Sequence, residues 1–285
     1  MADSVTLKAY AKINLNLDIT GKTEDFHTVE MVLQAIDIYD TVSVSVADEI
    51  SVKCSDENLP SGEENIAFLA AKEFFSYAEI KGGAEIKIKK RIPAAAGLGG
   101  GSSDAAAVIT ALNIVYETHL DDDQLMSICE KVGADVPFFI NGATQLAEGK
   151  GTILTPLPDL PECAFLIIKN GNKNSTGEMY SRFDSLGEIN HPKTEDLVEA
   201  ICEGDIYEVA KNCENVFENL YDDAFLSVKQ KLVENGALCA SLSGSGPSIF
   251  GLFEDKETAK DAKDVLEEEY ENIIICEPVN CGFEE

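Results

Sequence analysis

The sequence predicts an α+β protein built from two domains, and three observations support this fold class. Apolar and polar residues alternate from Val5 to Ile19, as in a long strand. A glycine-rich stretch, Ile92 to Ala107, lies between a predicted strand and a predicted helix. The element order of the second half, β–α–β–β–α–β with extra helices in the first crossover, matches a ferredoxin-like split βαβ domain.

Composition limits the classes of partner. The 285 residues, 45% of them hydrophobic, are enough for a large core and for two domains. The chain carries 22 Lys and Arg against 52 Asp and Glu, which gives a net charge of −30. Nucleic-acid backbone and anionic lipid would repel it, so we expect neither as a partner. An anionic ligand would need a local positive field from backbone N–H groups, a few lysines and a divalent cation.

The cysteines and the apolar runs indicate the compartment. The eight cysteines include no C-x-x-C pair and no nearby histidine ligands, which favours reduced core thiols. No N-terminal segment resembles a signal peptide, and no apolar run approaches ~20 residues, so we expect no membrane span. These features together predict a cytoplasmic protein.

The first strand has an apolar face and a polar face. Lys12 and Asn14 lie on the polar face, about 7 Å apart along the strand, where an ordinary solvated role is the alternative to function. The pattern then predicts a turn (Gly21–His27), three strands (Val29–Ile38, Thr41–Val46 and Glu49–Cys54) and an amphipathic helix (Asn65–Tyr77).

The glycine stretch reads IPAAAGLGGGSSDAAA and follows a predicted strand, Ala84–Ile92. Gly99 to Ser103 cannot fill a core, but bare backbone allows several N–H groups to converge on one anion. The following Ser102-Ser103-Asp104 is a hydroxyl N-cap signal that predicts a helix over Ser102–Tyr116. Strand, loop and helix N-terminus together predict a phosphate site, with a flexible surface loop as the alternative. The P-loop and Rossmann patterns both fail, because Ser102 stands where each requires glycine.

The remaining elements complete the two-domain prediction. A helix over Asp121–Val132 precedes GADVPFF, in which Asp135 is either a turn residue or a functional acid. Three prolines in Thr155–Cys163 mark the domain boundary, so we expect domains of residues 1–157 and 158–285. In the second domain, Ser175 begins a helix, and the turn Gly244–Pro247 joins the two central strands.

Several motifs resemble those of the GHMP kinase superfamily. PAAAGLGGGSSDAA is similar to its phosphate-binding motif and LSGSGPSIF to its C-terminal glycine motif. Three further stretches, AKINLNLDITGK, FHTVEMVLQAIDIYD and GADVPFF, resemble the branch whose substrate is a cytidine-diphosphate-linked methylerythritol. The resemblance runs in the same order from about residue 9 to residue 253 and covers most of the chain.

The resemblance implies a fold, an activity and a set of ligands. The N-terminal domain would be ribosomal S5 domain 2-like and the C-terminal domain ferredoxin-like. The activity would be an ATP-dependent transfer of a phosphoryl group to a hydroxyl of the cytidine-diphosphate-linked polyol, assisted by Mg²⁺, in isoprenoid precursor synthesis. The protein would be a monomer or a weak homodimer.

The resemblance also assigns site residues. Asp135 would be the catalytic aspartate and Lys12 its charged partner, while Asn14, Phe26, His27 and Thr176 would bind the acceptor. The residues implied for ATP are Pro93, Ala94, Ala95, Ala96, Gly97, Leu98, Gly99, Gly100, Gly101, Ser102, Ser103, Asn65 and Lys90. The resemblance assigns no metal ligand.

One turn departs from the family pattern. Where the family has Asp-Gly-Tyr/Phe-His, this chain has Glu24-Asp25-Phe26-His27, and Asp25 can tolerate the left-handed conformation, so we expect the fold to be kept. Two alternatives to the cytidine-linked substrate stay open. One is a GHMP kinase for homoserine, mevalonate or a sugar, and the other is a non-catalytic ligand-binding protein of the same fold.

Overall fold

The computed structural model describes residues 4–171 and 175–285, which fold into two sheets with helices. The strands of the described residues are β1 (Ser4–Lys22), β2 (His27–Ala47), β3 (Ser51–Cys54), β4 (Gly83–Lys89), β5 (Thr144–Gly149), β6 (Ile153–Pro156), β7 (Ala164–Lys169), β8 (Cys239–Leu242), β9 (Ser248–Phe253), β10 (Ile273–Cys276) and β11 (Phe283–Glu284). Their α-helices are α1 (Ile66–Tyr77), α2 (Gly100–Val115), α3 (Asp122–Val132), α4 (Phe138–Asn141), α5 (Thr176–Phe183), α6 (Thr194–Glu203), α7 (Ile206–Lys211), α8 (Asp223–Glu234) and α9 (Lys256–Leu266).

The first sheet is built around the long β1–β2 hairpin. Its strand order is β11-β1-β2-β4-β3, and β5 also pairs with β2 and carries β6 at its other edge. All pairs are antiparallel except β3 with β4. The predicted strands Val29–Ile38 and Thr41–Val46 are therefore one strand, β2. The polar residue between them, Asp40, stays in the strand because its buried carboxylate accepts hydrogen bonds from the N–H groups of Arg91 and Ile92.

Both faces of β1 are buried, which differs from the single buried face that its alternation predicts. The pairing with β2 shifts register between Tyr10 and Ala11 and again between Asn14 and Asn16. The two shifts divide the apolar residues of β1 between two cores. Leu7, Ala9, Leu17 and Ile19 belong to one buried apolar cluster, which includes residues of α1 and α2, whereas Ala11, Ile13 and Leu15 belong to another, which includes residues of β7 and β9.

The second sheet has the strand order β10-β7-β9-β8 with antiparallel pairs, and α5 to α8 lie in the crossover between β7 and β8. This is the ferredoxin-like order predicted from the sequence, so that prediction is confirmed.

The two sheets are connected twice. Residues 157–163 lead from β6 to β7, and the segment after β10 returns along the first sheet. In that return, Val279 N–H donates to Ala35, and Gly282 accepts from Tyr10 N–H. The domain boundary between residues 157 and 158 remains a proposal. Strand β11 lies after this boundary in the chain but belongs to the first sheet. None of the helices in the described ranges is long and apolar enough to cross a bilayer.

Candidate active site

A cavity of about 990 Å³ lies among the glycine stretch, the β1–β2 hairpin and α5. Cys54, Leu59 and Ile88 border one part, and Lys22, Tyr180 and Asp184 border another. The sequence-predicted site residues that line this cavity are Lys12, Asn14, Phe26, His27, Asn65, Lys90, every residue from Pro93 to Ser102, Asp135 and Thr176. The structure thus brings together residues from β1, β2, α2, α5 and four connecting segments.

The glycine loop owes its shape to left-handed backbone. Gly97 and Gly99 have φ angles of 80° and 71°, and Ala95 has a φ of 50°. A Cβ on Gly99 would lie 2.7 Å from the Phe139 ring and 2.9 Å from Lys12 Cγ, so only glycine fits between them.

The helix behind the loop begins at Gly100, two residues before the predicted start, and its N-cap is Gly99. Within the described residues, no side chain caps this N-terminus, so the predicted hydroxyl cap is wrong. The first-turn N–H groups are therefore left for a ligand, as an anion site requires.

Ser103 is the one predicted site residue that is not on the cavity surface. Its buried hydroxyl donates to the Tyr10 carbonyl at 2.6 Å, and its N–H donates to Gly99. A helix residue three positions after Gly100 faces the sheet rather than the loop. Ser103 therefore holds α2 against β1 and does not itself face a phosphate.

The second glycine turn packs directly on the first. Ser243 Oγ donates to the Gly97 carbonyl at 3.0 Å and accepts from Asn14 N–H at 3.3 Å. Gly244 and Ser245 line the cavity. The sequence pattern alone indicates only a tight turn here, because the packing of two distant loops leaves no periodic signal.

Lys12 and Asp135 approach the cavity from different segments. Lys12 is 4% exposed, and its ammonium donates to Asn14 Oδ1 at 2.5 Å. Its backbone N–H donates to Leu98 of the glycine loop at 3.0 Å, which ties β1 to the loop. Asp135 is half-buried in the turn between α3 and α4. A carboxylate and an ammonium that line the same cavity are suited to proton acceptance and to stabilising developing negative charge.

Lys90 is held by two buried carboxylates. Its ammonium pairs with Asp40 and, at 2.7 Å, with Asp104 Oδ2. Burial disfavours the charged form of Lys90, but Asp104 and Asp40 outweigh it and raise its pKa. Burial also disfavours the charged form of Asp104 and raises its pKa to about 7, although the charge of Lys90 acts in the opposite direction. The other oxygen, Asp104 Oδ1, is buried and has no hydrogen-bond partner among the residues described.

Asn65 lines the cavity, but its side-chain oxygen and nitrogen are both engaged in hydrogen bonds within its own segment. Its Oδ1 caps α1 by accepting from Ala67 N–H at 2.9 Å, and its Nδ2 donates to the Pro60 carbonyl at 2.7 Å. Its predicted proximity to the nucleotide therefore comes with a structural role at the start of α1.

The β1–β2 turn closes through a hydroxyl. Thr23 Oγ1 accepts from Phe26 N–H at 3.1 Å, and Thr23 N–H donates to the Phe26 carbonyl at 2.8 Å. Asp25 is not among the described residues with positive φ, so the turn forms without the left-handed conformation that aspartate tolerates. The threonine hydroxyl therefore closes this turn, which lacks the glycine of the family pattern. Phe26 is 42% exposed beside the cavity.

His27 is held from two sides by α5. Its ring stacks on Tyr180 with centroids 4.7 Å apart, and Nε2 lies 2.6 Å from Asp184 Oδ1. Lys22 pairs with the other oxygen of Asp184 at 2.5 Å. Tyr180 in turn packs edge-on against Phe217, and burial, with the charge of Asp135, raises its pKa to about 12. Sequence reasoning missed Tyr180, Asp184 and Lys22, because helical periodicity does not show which hairpin a helix faces.

Oxygen ligands for a metal are few but suitable. In the two described ranges, no group of three or more His, Cys, Asp or Glu side chains is arranged to hold a metal ion. The Ser102 hydroxyl and the Asp135 carboxylate both line the cavity. Two such oxygens suit Mg²⁺ when phosphate oxygens complete its coordination.

Two family models match the chain. Residues 65–143 match the GHMP kinases N terminal domain, and residues 197–272 match the GHMP kinases C terminal domain. Among curated relatives, the 4-diphosphocytidyl-2-C-methyl-D-erythritol kinase of Clostridium beijerinckii is 38% identical over 274 residues. That alignment covers 94% of this chain and 98% of the relative.

Solved structures of two kinases are also similar to this chain. A 4-(cytidine 5'-diphospho)-2C-methyl-D-erythritol kinase has a TM-score of 0.79 and 29% identity, covering 96% of this chain and 99% of its own. The homoserine kinase of Cytophaga hutchinsonii has a TM-score of 0.80 at 19% identity, covering 100% of this chain and 98% of its own. At that identity the second likeness concerns the fold alone.

Proposed function

The chain belongs to the GHMP kinases and, within them, to the 4-diphosphocytidyl-2-C-methyl-D-erythritol kinases, and on this premise we propose how its site works. The reaction transfers the γ-phosphoryl group of ATP to a hydroxyl of 4-diphosphocytidyl-2-C-methyl-D-erythritol, a step of the non-mevalonate route to isoprenoid precursors. The observation that carries the proposal is a single cavity lined by the glycine loop, Lys12, Asp135 and the His27 turn.

We assign the ATP phosphates to the glycine loop. The uncapped N-terminus of α2 offers backbone N–H groups and the positive end of the helix dipole. This source of positive field matters in a chain with a net charge of −30. The apolar part of the cavity near Cys54, Leu59 and Ile88 is where we place the adenine.

Mg²⁺ fits the oxygen donors at the loop. Ser102 and Asp135 would share it with the phosphates, and the ion would offset phosphate charge during transfer. Lys90 would act on the nucleotide through the position of α2, since its ammonium is engaged by Asp40 and Asp104.

The reacting pair is Asp135 and Lys12. Phosphoryl transfer depends mainly on positioning and on stabilising charge. Asp135 would accept the proton of the acceptor hydroxyl, and Lys12 would stabilise the negative charge that develops on the transferred group. Asn14 holds the Lys12 ammonium in place.

We place the acceptor at the hairpin end of the cavity. Phe26 would provide a stacking face, His27 would contact the base, and Thr176 at the start of α5 would contact the linked diphosphate. A cytoplasmic location and a monomeric or weakly dimeric state are part of the same proposal, and light scattering on the purified protein tests the latter.

The proposal is tested by ATP turnover with 4-diphosphocytidyl-2-C-methyl-D-erythritol beside homoserine, mevalonate and sugar acceptors. Selective turnover of the cytidine-linked acceptor is expected. Turnover of another alcohol alone would contradict the substrate, and no turnover with any acceptor would favour a non-catalytic protein of this fold.

The Asp135→Asn variant tests the proposed base. We expect kcat to fall about 10²- to 10⁴-fold with ATP binding retained, because proton acceptance is removed while the contacts of the glycine loop to the ATP phosphates stay in place. Asp123→Asn, an exposed acid in the first turn of α3, is the matched control and should keep normal kcat. Near-normal kcat in Asp135→Asn would remove Asp135 from the mechanism.

A further inference from the structure

Four carbonyl groups of the glycine loop accept hydrogen bonds from outside the loop. The pairs are Ala94 with Lys169 Nζ at 2.9 Å, Ala96 with Ser248 N–H at 3.3 Å, Gly97 with Ser243 Oγ at 3.0 Å and Leu98 with Lys12 N–H at 3.0 Å. Lys12 belongs to β1. The other three donors come from the second sheet, because Lys169 ends β7, Ser243 follows β8 and Ser248 begins β9. The second domain therefore supports a loop that the first domain carries.

The direction of each held carbonyl also fixes the direction of the next N–H group. In a planar trans peptide, the C=O of one residue and the N–H of the next point in opposite directions. The N–H groups that follow the held carbonyls therefore point away from the donors, and they are those of Ala95, Gly97, Leu98 and Gly99. These four residues line the cavity, and their N–H groups donate to no acceptor in the described ranges. They are therefore open to an anion in the cavity.

The peptide between Ala94 and Ala95 needs the most support. Ala95 has a φ of 50°, which is unfavourable for a residue that carries a Cβ. Gly97 and Gly99 take the same left-handed backbone without that penalty. Rotation of the peptide would relieve the strain at Ala95 and turn its N–H out of the cavity. The hydrogen bond from Lys169 opposes this rotation, because it holds the Ala94 carbonyl.

Lys169 is firmly based for this contact. Its N–H donates to the Asn272 carbonyl at 3.3 Å and its backbone pairs with Ser248 of β9, so the side chain starts from a fixed strand end. Its ammonium takes part in no ion pair among the described residues, although the chain carries 52 Asp and Glu. The ammonium is thus left to the Ala94 carbonyl, and a hydrogen bond from a charged donor is stronger than one from a neutral donor.

We propose that Lys169 is a positioning residue for ATP, which holds the Ala94 carbonyl and thereby keeps the Ala95 N–H directed at the phosphate groups. This inference rests on the proposed function, which assigns the ATP phosphates to the glycine loop. Lys169 does not line the cavity, so it acts through the loop rather than by contact with the nucleotide.

Three variants separate this role from the alternatives. Lys169→Met removes the ammonium and nearly keeps the length of the side chain, whereas Lys169→Arg keeps a charged donor. Lys211→Met removes the same charge from an exposed lysine of α7 that pairs with Glu208, and it is the matched control.

Calorimetric titration with ATP and with adenosine measures the role. In Lys169→Met we expect the Kd for ATP to rise about 10- to 100-fold, as for the loss of a hydrogen bond from a charged group. The Kd for adenosine should stay constant, because adenosine has no phosphate. Lys169→Arg should recover most of the ATP affinity, and Lys211→Met should bind both ligands as wild type does. In turnover, the KM for ATP should rise by the same factor in Lys169→Met while the KM for the acceptor stays constant.

Salt distinguishes a held peptide from the loss of a distant charge. Screening at about 0.5 M salt would remove most of a long-range charge effect that is present at about 0.05 M, so the ATP loss in Lys169→Met should persist at high salt. A loss that disappears at high salt, or an equal loss for adenosine, would overturn the inference. A lower melting temperature of Lys169→Met with wild-type ATP affinity would also overturn it, because Lys169 would then serve the fold alone.

The proposed function can fail separately. Wild type that binds ATP but does not phosphorylate the cytidine-linked acceptor would refute the proposed substrate. The titrations with ATP and adenosine would still decide the role of Lys169, since neither of them requires turnover.

Discussion

Replacing Gly97 with alanine tests whether the contact between the two glycine loops shapes the ATP site. A Cβ at this position would lie 2.2 Å from the Ser243 carbonyl oxygen, on a residue whose φ is +80°. The Ser243 oxygen must therefore move by about 1 Å to reach ordinary van der Waals distance. Ser243 cannot move freely, because its carbonyl accepts from Gly246 N–H and its hydroxyl binds Gly97 and Asn14.

The expected loss of stability in Gly97→Ala has two contributions, backbone strain and steric overlap. Alanine in left-handed backbone costs about 1–2 kcal/mol, and overpacking a filled site costs about 1–3 kcal/mol more. Gly204→Ala isolates the first contribution, since Gly204 has a φ of +70° and no neighbour within 4 Å of its Cβ position. We therefore expect Gly97→Ala to lower the free energy of unfolding by about 1–3 kcal/mol more than Gly204→Ala does.

Urea denaturation measures both variants, and calorimetric titration with ATP measures the site. Gly97→Ala should weaken ATP binding at least about tenfold, a loss of about 1.4 kcal/mol, whereas Gly204→Ala should bind as wild type does. Equal destabilisation of the two variants together with unchanged ATP affinity in Gly97→Ala would refute the reasoning.

Two further predictions concern α2. Because burial raises the pKa of Asp104 to about 7 from 3.8, the folded protein keeps a proton that the unfolded chain releases, so this group's contribution to stability falls as pH rises through that window. The unfolding free energy of wild type minus that of Asp104→Asn should therefore decrease from acid to neutral pH in urea denaturation, and a constant or increasing difference would contradict the raised pKa. Ser103→Ala should lower the unfolding free energy by about 1 kcal/mol or more, because the Tyr10 carbonyl loses a buried donor, without a change in ATP affinity. Ser102→Ala should weaken ATP binding without a change in the unfolding free energy. Weakened ATP binding in Ser103→Ala would contradict the placement of Ser103 away from the cavity.

Periodicity and turn chemistry were sufficient to predict most elements of this fold. The helix over Ile66–Tyr77 and the strand over Ser248–Phe253 follow from local pattern, because each buries one face or lies wholly in a core. The register shifts in β1 were not predictable, since a bulge changes the side-chain direction without a residue signature of its own. The merged β2 was missed because a buried aspartate resembles a strand end until its partners at residues 91 and 92 are known.

The residues of the site also divide into those that local sequence motifs indicate and those that they do not. Local motifs drew attention to Asp135, to the glycine loop and to His27, and the structure brings all three to one cavity, while their roles remain predictions. Asp184 and Tyr180 could not be found in this way, because Tyr180 lies in the amphipathic helix α5 and Asp184 directly follows it, and the docking partner of this helix is distant in sequence. Ser102-Ser103-Asp104 misled the cap prediction because Ser103 faces β1 and Asp104 faces Lys90.

The division of β1 between two cores has a thermodynamic consequence. Ala11, Ile13 and Leu15 belong to the same buried apolar cluster as Phe165 and Phe250 of the second sheet, so the apolar interior is continuous between the sheets. Separating them would expose this surface on both sides, and neither half would keep a complete core. The two parts on either side of the proposed boundary at residues 157–158 should therefore melt in a single cooperative transition.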